Sequence, residues 1–203
     1  NADFYQIARD FECTQEAGGW HWKNATKRYQ QLPVPNIILD NAAVSLQAVE
    51  LLQARLPVAE AVIRQALEML NLAGRYEVYH QPCLTILDVA HNPASAAKLA
   101  ARLSQSPFPG KTRAVFAMLK DKAIAETIAI MRDCVDEWFV ATTDDSRAAM
   151  AQDLMRECHA QKIKNCYNSV TVEAAYQAAL SATRKSTDRI VVFGSFHTVA
   201  AVR

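Results

Sequence analysis

Glycine is scarce in this sequence: the 203 residues include five, at positions 18, 19, 74, 110 and 194. Loops that cradle phosphate need glycines at fixed spacing, because the backbone must approach the phosphate closely. These five positions cannot form G-x-G-x-x-G, which excludes a dinucleotide-binding loop of that kind. Gly110-Lys111-Thr112 has the ending of a different phosphate-binding loop. However, Gln105 stands where that loop requires glycine, and the segment precedes a predicted strand instead of following one.

The sequence also lacks long apolar runs, an excess of one charge and closely paired cysteines. No run approaches the roughly 18 apolar residues of a membrane-spanning helix. The 22 basic and 21 acidic residues give a net charge of +1, whereas a nucleic-acid surface needs a basic excess. The five cysteines contain no C-x-x-C pair, so neither a disulfide framework nor a zinc site is expected. We therefore predict a cytoplasmic protein that binds neither nucleic acid nor membrane and holds no metal through these residues.

The first part of the chain has the pattern of a small β meander followed by a helical hairpin. Residues 3–32 are rich in apolar and aromatic residues, with Gly18-Gly19 as a hairpin turn. Two amphipathic helices follow, the first capped by Asp40 or Asn41 and the second ended by Gly74.

From residue 77 onward, apolar runs alternate strictly with amphipathic helices. This alternation predicts a mostly parallel sheet with helices on both faces, which is a Rossmann-like α/β domain. We place the domain boundary near residues 74–80. The predicted strands are 84–89, 113–119, 138–141 and 189–193, with a weaker one near 163–167.

In an open parallel sheet, ligands bind in the crevice outside the carboxyl ends of the strands. This rule selects the loops that directly follow the predicted strands, and each of them carries polar or charged groups. The selected loops are 88–93, 119–122, 142–147 and 194–198.

The first of these loops places a carboxylate and an imidazole at the start of a helix. Asn92 fits an N-cap and Pro93 fits the first helical position. Asp88 at the strand end can accept hydrogen bonds from two ribose hydroxyls, and His91 lies beside a helix N-terminus, which favours anions. A structural alternative remains open, in which Asp88 only ties down the turn and His91 is a surface residue.

Two further loops have a functional and a structural interpretation. Gly194 permits a sharp turn into a helix that Ser195 or Thr198 can cap, and the exposed N–H groups there can hold a carboxylate. Simple helix capping explains the same residues. Lys120-Asp121-Lys122 is a charged turn in which Asp121 can act as an N-cap without any ligand.

Three strings together resemble a known family of enzymes. They are Leu-Asp-Val-Ala-His-Asn-Pro (87–93), Met-Leu-Lys-Asp-Lys (118–122) and Gly-Ser-Phe-His-Thr-Val-Ala (194–200). In this order and at these separations they resemble the bifunctional dihydrofolate synthase/folylpolyglutamate synthases, which are ligases of the Mur type. The likeness runs over essentially the whole chain. It implies that residues 1–76 end an ATP-binding domain and that 77–203 form most of a C-terminal Rossmann-like glutamate-ligase domain.

The resemblance implies an ATP-dependent amide-forming reaction. The family transfers the ATP γ-phosphoryl group to a carboxylate of dihydropteroate or a folate, and the amino group of L-glutamate attacks the acyl phosphate. The triphosphate loop and the Mg²⁺ ligands would lie upstream, so the partners expected are ATP, Mg²⁺, both organic substrates and the missing N-terminal ATPase domain. We expect the fragment to be inactive alone and the enzyme to be a monomer. The alternative is a stand-alone Rossmann-like module that binds a nucleotide or amino acid without catalysis.

The resemblance also implies roles for individual residues on the nucleotide side. Asp88 matches the aspartate that binds the ATP ribose, and Asn41 matches an asparagine at a helix start near the nucleotide. Arg75 matches an arginine that reaches the phosphates. His91 matches a histidine close to the phosphates and the incoming glutamate, so His91 and Arg75 are the implied catalytic residues.

On the substrate side, the resemblance implies four residues. Ser195 matches a serine associated with the glutamate carboxylate, and His197 is adjacent to it. Lys120 and Asp121 would border the same site.

Overall fold

The computed structural model describes residues 3–106, 108–184 and 187–203. Within these residues the chain divides into two compact units, the first ending at Ala73 and the second spanning Gly74–Arg203. No helix in the described ranges combines the length and the apolar character needed to cross a membrane.

The first unit begins with an antiparallel meander. Its strands are β1 (Phe11–Glu16), β2 (Gly19–Asn24) and β3 (Arg28–Leu32), in the order β1-β2-β3. Side chains alternate between the two faces of a strand, and Trp20 and Trp22 accordingly lie on one face, where both rings are buried. The predicted meander is confirmed.

Two helices complete the core of the first unit. They are α1 (Leu39–Leu52) and α2 (Glu60–Met69). Leu46 of α1 and Ile63 of α2 belong to the same apolar cluster as the two tryptophans. This cluster gives the meander the covered face that a small sheet needs for stability.

The predicted ends of these helices were wrong. The helix α1 begins one residue before Asp40, with Ile38 in the N-cap position and no side-chain cap. Asp40 and Asn41 therefore lie in the first turn, where the negative charge of Asp40 still interacts favourably with the helix dipole. The helix α2 ends at Met69, so Gly74 is not its C-cap. Gly74 has a φ of +66° and instead opens the second unit.

The second unit contains a sheet with the strand order β4-β5-β9-β6-β7-β8. Strand β4 is antiparallel to β5, and all the other neighbours are parallel, which confirms the prediction of a mostly parallel sheet. The elements in chain order are β4 (Glu77–Tyr79), β5 (Leu84–Asp88), α3 (Pro93–Gln105), β6 (Thr112–Phe116), α4 (Ile124–Met131), β7 (Glu137–Ala141), α5 (Ala151–Ala160), β8 (Cys166–Ser169), α6 (Val172–Ala182), β9 (Arg189–Phe193) and α7 (Phe196–Ala200).

Helices cover both faces of this sheet, as the alternation predicted. The helices α3, α4 and α5 share one apolar cluster with one set of strand side chains, through residues such as Leu99, Ile128 and Leu154. The helices α6 and α7 share the other cluster, through Ala175 and Val199. The helices that follow β5 and β6 therefore lie on the face opposite to the helix that follows β9.

A buried ion pair joins β6 to the start of β9. Arg113 Nη1 donates to Asp188 Oδ2 at 2.6 Å, and both side chains are 5% exposed. Although burial acts in the opposite direction, hydrogen bonds from the Arg184 N–H, Arg113 and the Lys111 N–H lower the pKa of Asp188 to about 2. Arg113 Nε also donates to Glu137 Oε2 at 2.7 Å, so removal of Asp188 would take away one of two carboxylates that balance the buried guanidinium.

Asp188 makes the stability of the second unit depend on acid pH. Since its folded pKa of about 2 lies below the model-peptide value of 3.8, its contribution is complete above pH ~4 and is lost as the pH falls toward ~2. The shift corresponds to about 2 kcal/mol. In chemical denaturation at a series of pH values, we expect Asp188→Asn to lower the free energy of unfolding at pH 7 and to flatten its decline between pH 4 and 2.

The exposed Asp133 is the matched control, because its side chain is 82% exposed beside Arg132. We expect Asp133→Asn to leave the decline unchanged. An equal slope for Asp188→Asn and the unsubstituted protein would contradict the importance of the buried pair.

Candidate functional site

A small cleft lies at the carboxyl ends of β5, β6, β7 and β9. It has a volume of about 240 Å³ and is lined by residues of four loops, each of which follows a different parallel strand. The crevice forms here because the helices that follow β5 and β6 pack on one face of the sheet and α7 packs on the other. Ligands bind at such a topological switch point in open α/β sheets. The lining residues include four with basic side chains, and in full they are His91, Leu119, Lys122, Arg147, Gly194, Ser195, Phe196 and His197.

Carboxylates behind the cleft hold three of these basic groups. Lys122 Nζ lies 3.2 Å from Asp121 Oδ2. Asp145 contacts two of the others, since its Oδ1 is 3.4 Å from Arg147 Nε and its Oδ2 is 3.2 Å from His197 Nε2. The backbone N–H of Arg147, its side chain and His197 keep the pKa of Asp145 below its ordinary value. Asp145 is therefore ionised at neutral pH.

His91 occupies the turn between β5 and α3. Asn92 caps α3 through its side chain, with Ser95 completing a capping box and Pro93 at the first helical position, as the sequence predicted. His91 Nδ1 lies 2.8 Å from the Val89 carbonyl oxygen. In the neutral imidazole this contact places the proton on Nδ1, so Nε2 is the nitrogen that carries the lone pair.

Asp88 ties the end of β5 to the loop that carries Arg75. Its Oδ2 accepts from the Tyr76 N–H at 3.0 Å, and its Oδ1 accepts from the Ala90 N–H at 2.8 Å. Burial raises the pKa of Asp88, although both N–H donors and the charges of Arg75 and Arg102 act in the opposite direction. The carboxylate thus has the turn-stabilising role of the structural alternative. Since a carboxylate has about four acceptor positions, it retains capacity for further donors.

Arg75 lies on the same side of the sheet as the cleft residue Phe196. Its guanidinium carbon is 5.7 Å from the centroid of the Phe196 ring. The His91 ring centroid is 6.3 Å from the same ring. Phe196 is 58% exposed and therefore links the two residues implied to be catalytic at the surface of the second unit.

Ser195 forms the turn from β9 into α7 and is buried. Its Oγ accepts from the Thr198 N–H at 3.0 Å and lies 2.7 Å from Thr198 Oγ1. Thr198 Oγ1 donates to the Ala117 carbonyl oxygen at 2.7 Å, so the Ser195 hydroxyl proton points to Thr198. The capping interpretation is correct for Ser195, and its hydroxyl donor is already used within the fold.

Lys120, Asp121 and Asn41 lie outside the lining of the cleft. Lys120 and Asp121 are exposed, and the Lys120 N–H donates to the Arg147 carbonyl at 2.8 Å. Asp121 is not an N-cap, because α4 begins at Ile124 after two further residues of turn. Asn41 is an exposed residue of α1 in the first unit.

Sequence reasoning selected the loops that form the cleft but did not single out several of their side chains. The 119–122 and 142–147 loops both reach the cleft, yet Lys122, Arg147 and Asp145 were not among the predicted site residues. Phe196 was not singled out either. The sequence indicated these loops only because each follows a predicted strand. Position after a strand does not show which of several consecutive charged residues lines the cleft.

Across residues 3–106, 108–184 and 187–203 there is no group of three or more His, Cys, Asp or Glu side chains able to hold a metal ion.

Comparison with known families supports the interpretation of the second unit. A sequence model of the family described as "Mur ligase, glutamate ligase domain" matches residues 74–196, which is more than half of the chain. The chain belongs to this Mur ligase family. The match begins at the first residue of the second compact unit and ends within α7.

Relatives of this Mur ligase chain are dihydrofolate synthase/folylpolyglutamate synthases, which confirms the resemblance. The Escherichia coli K12 enzyme is 36% identical over 183 residues, covering 90% of this chain and 42% of that protein. A bifunctional folylpolyglutamate synthase/dihydrofolate synthase solved with Mn, AMPPNP and L-glutamate bound has a TM-score of 0.86 and 39% identity, over 98% of this chain and 46% of that one. Mycobacterium tuberculosis folylpolyglutamate synthase complexed with ADP has the same fold, with a TM-score of 0.83 at 21% identity. This chain thus spans a little under half the length of these relatives.

Gly194 is a position at which the cleft requires glycine. Its φ is +119°, and a Cβ at this residue would overlap the Ala117 carbonyl oxygen. In chemical denaturation we expect Gly194→Ala to lower the free energy of unfolding of the second unit by about 2–4 kcal/mol, because conformational strain and overpacking add.

Gly18 separates these two costs, because its φ is +92° but nothing lies within 4 Å of an added Cβ. Gly18→Ala should cost about 1 kcal/mol in the first unit. If Gly194→Ala were no more destabilising than Gly18→Ala, close packing of the turn against Ala117 would be disproved.

Proposed function

We propose that this chain is the C-terminal portion of an ATP-dependent ligase that adds L-glutamate to dihydropteroate, to folates or to both, through an acyl phosphate. Residues 1–76 end its ATP-binding domain and residues 77–203 form most of its glutamate-ligase domain. The observation that carries the proposal is the basic cleft at the switch point of a Mur ligase glutamate ligase domain.

The size and charge of the cleft suit a small acidic amino acid. Sites for drug-sized ligands have volumes of about 300–1,000 Å³, whereas this cleft has about 240 Å³. Lys122, Arg147 and two histidines are among its lining residues. Cationic donors bind carboxylates by charge-assisted hydrogen bonds. L-Glutamate, with two carboxylates and an amino group, fits this combination, and Ser195, Lys120 and Asp121 border the same site.

The nucleotide would meet the second unit at the carboxyl end of β5. Asp88 is available to the ribose, because each of its oxygens keeps acceptor capacity beyond one backbone N–H. Arg75 directly precedes Tyr76, whose N–H donates to Asp88, and its charge acts on that carboxylate. We assign Arg75 to phosphate, and His91 completes the catalytic pair. Asn41, in the first unit, stays a nucleotide contact predicted from the resemblance. ATP supplies the phosphoryl group that activates the carboxylate, and Mg²⁺ ligands would come from the preceding half of the enzyme.

Ligase activity should require more than this chain. We expect the complete protein encoded by the gene to release ADP and phosphate only when ATP, L-glutamate and dihydropteroate or a folate are all present. Residues 1–203 alone should form no amide in the same assay. Amide synthesis by residues 1–203 would contradict the assignment of triphosphate binding to another part. A complete protein that binds glutamate and ATP calorimetrically but never forms amide would favour the binding module.

Arg147 provides a test of the glutamate site. In the complete enzyme we expect Arg147→Met to raise the KM for L-glutamate at least tenfold while the KM for ATP stays unchanged, because one charge-assisted hydrogen bond is worth about 1.5–3 kcal/mol. Steady-state kinetics with each substrate varied separately would measure this.

Arg156→Met is the matched control, since this arginine is 73% exposed on α5 and pairs with Asp153. It should leave both constants unchanged. Equal effects of the two substitutions on glutamate would show that overall charge, and not the cleft, determines its binding.

A further inference from the structure

An aspartate and a histidine form a coupled pair across two loops of the cleft. Asp145 Oδ2 lies 3.2 Å from His197 Nε2, and the side chain of Asp145 is 12% exposed while that of His197 is 50% exposed. Asp145 is fixed from its other oxygen, which accepts from the Arg147 N–H at 2.7 Å. The carboxylate therefore holds Nε2 as the protonated nitrogen and leaves Nδ1 as the free acceptor.

The proposed reaction needs a proton acceptor at this place. An amino acid enters with its amino group as an ammonium ion, which has no lone pair with which to attack a carbonyl carbon. A base within the glutamate cleft must remove one proton before the N–C bond can form. Neither Lys122 nor Arg147 can accept it, since both are already cationic.

We propose that His197 is the base that deprotonates L-glutamate, with Asp145 as its positioning residue. This inference rests on the proposed ligase function. One proton passes from the ammonium nitrogen to His197 Nδ1, and the resulting imidazolium is stabilised by the Asp145 carboxylate. The amine lone pair then forms the N–C bond to the acyl phosphate as the C–O bond breaks and phosphate leaves with the electron pair. The nitrogen loses its second proton to solvent, which gives the neutral amide.

His91 is the competing candidate, because it lines the same cleft. Its Nδ1 carries a proton that is donated to the carbonyl oxygen of Val89, 2.8 Å away. The partner of His91 is therefore a neutral dipole and not a charged group. A carboxylate stabilises an imidazolium more strongly than a carbonyl does, because it bears a full opposite charge. Other charged groups around the cleft include Lys122 and Arg147, Asp121 beside Lys122, and Arg75 against Phe196. The cations further favour loss of a proton from the substrate amine.

The test compares two nucleophiles in the complete enzyme. Hydroxylamine is largely uncharged at neutral pH, so it attacks an acyl phosphate without a base and gives a hydroxamate. We expect His197→Gln to lower kcat with L-glutamate about 100-fold at neutral pH, with partial recovery as the pH is raised. Hydroxamate formation by the same variant should stay within about twofold of the unsubstituted enzyme.

Asp145→Asn should show the same selective loss of amide formation, about tenfold. Asp144→Asn is the control and should show no loss, because Asp144 is an exposed neighbour of equal charge.

The outcomes separate failure of the inference from failure of the proposed function. If the unsubstituted enzyme forms neither amide nor hydroxamate, the ligase proposal is wrong. If His197→Gln loses both products equally, or loses neither, the ligase proposal stands and His197 is not the base. If the selective loss appears with His91→Gln instead, the base is His91. Retained hydroxamate formation also demonstrates that His197→Gln has folded.

Discussion

Strand β9 is the last strand of the sheet in sequence, yet it lies between β5 and β6 and hydrogen-bonds to both. Since α3 and α4 pack on one face and α7 on the other, the chain leaves the three strand ends in diverging directions. The space between these exits is the cleft. Gly194 makes the geometry possible, because a side chain there would overlap the Ala117 carbonyl. The position of every basic group in the cleft depends on this insertion of β9.

Several side chains at the strand ends form hydrogen bonds that hold the backbone of their own loops. Asp88 accepts two backbone N–H groups, Asn92 caps α3, and the Ser195 hydroxyl is linked to Thr198. These contacts satisfy polar groups that the ends of strands and helices leave unpaired. A residue of this kind cannot be substituted without altering the loop that it holds. The structural and functional interpretations of Asp88 are thus compatible, and kinetic loss on its substitution would not by itself identify a ribose contact. His197 and Arg147, which extend from the turns, are better probes of chemistry.

The sequence was sufficient for the architecture because periodicity reports burial directly. Alternation of apolar runs with helices predicted the parallel sheet, and the strand-end rule selected all the loops that form the cleft. Helix ends in the first unit were predicted incorrectly, since Ile38 occupies a cap position that pattern alone gives to Asp40 or Asn41. The Asp145–His197 pair was also missed, because residues 52 positions apart meet only through the strand order. Local patterns contain no information on such pairing across non-adjacent loops.

A basic cleft has opposite effects on the two ends of an amino acid. Lys122 and Arg147 attract carboxylates, but the same charges disfavour the ammonium group that arrives with them. That conflict helps amide formation, because a positively charged environment favours the neutral amine over the ammonium ion. The proton then needs a destination inside the cleft whose new charge is compensated. Asp145 provides this compensation for His197 while it also holds Arg147. In the proposed reaction, one carboxylate behind the cleft positions a carboxylate-binding group and a proton acceptor together, so that glutamate binding and proton loss share a single preorganised site.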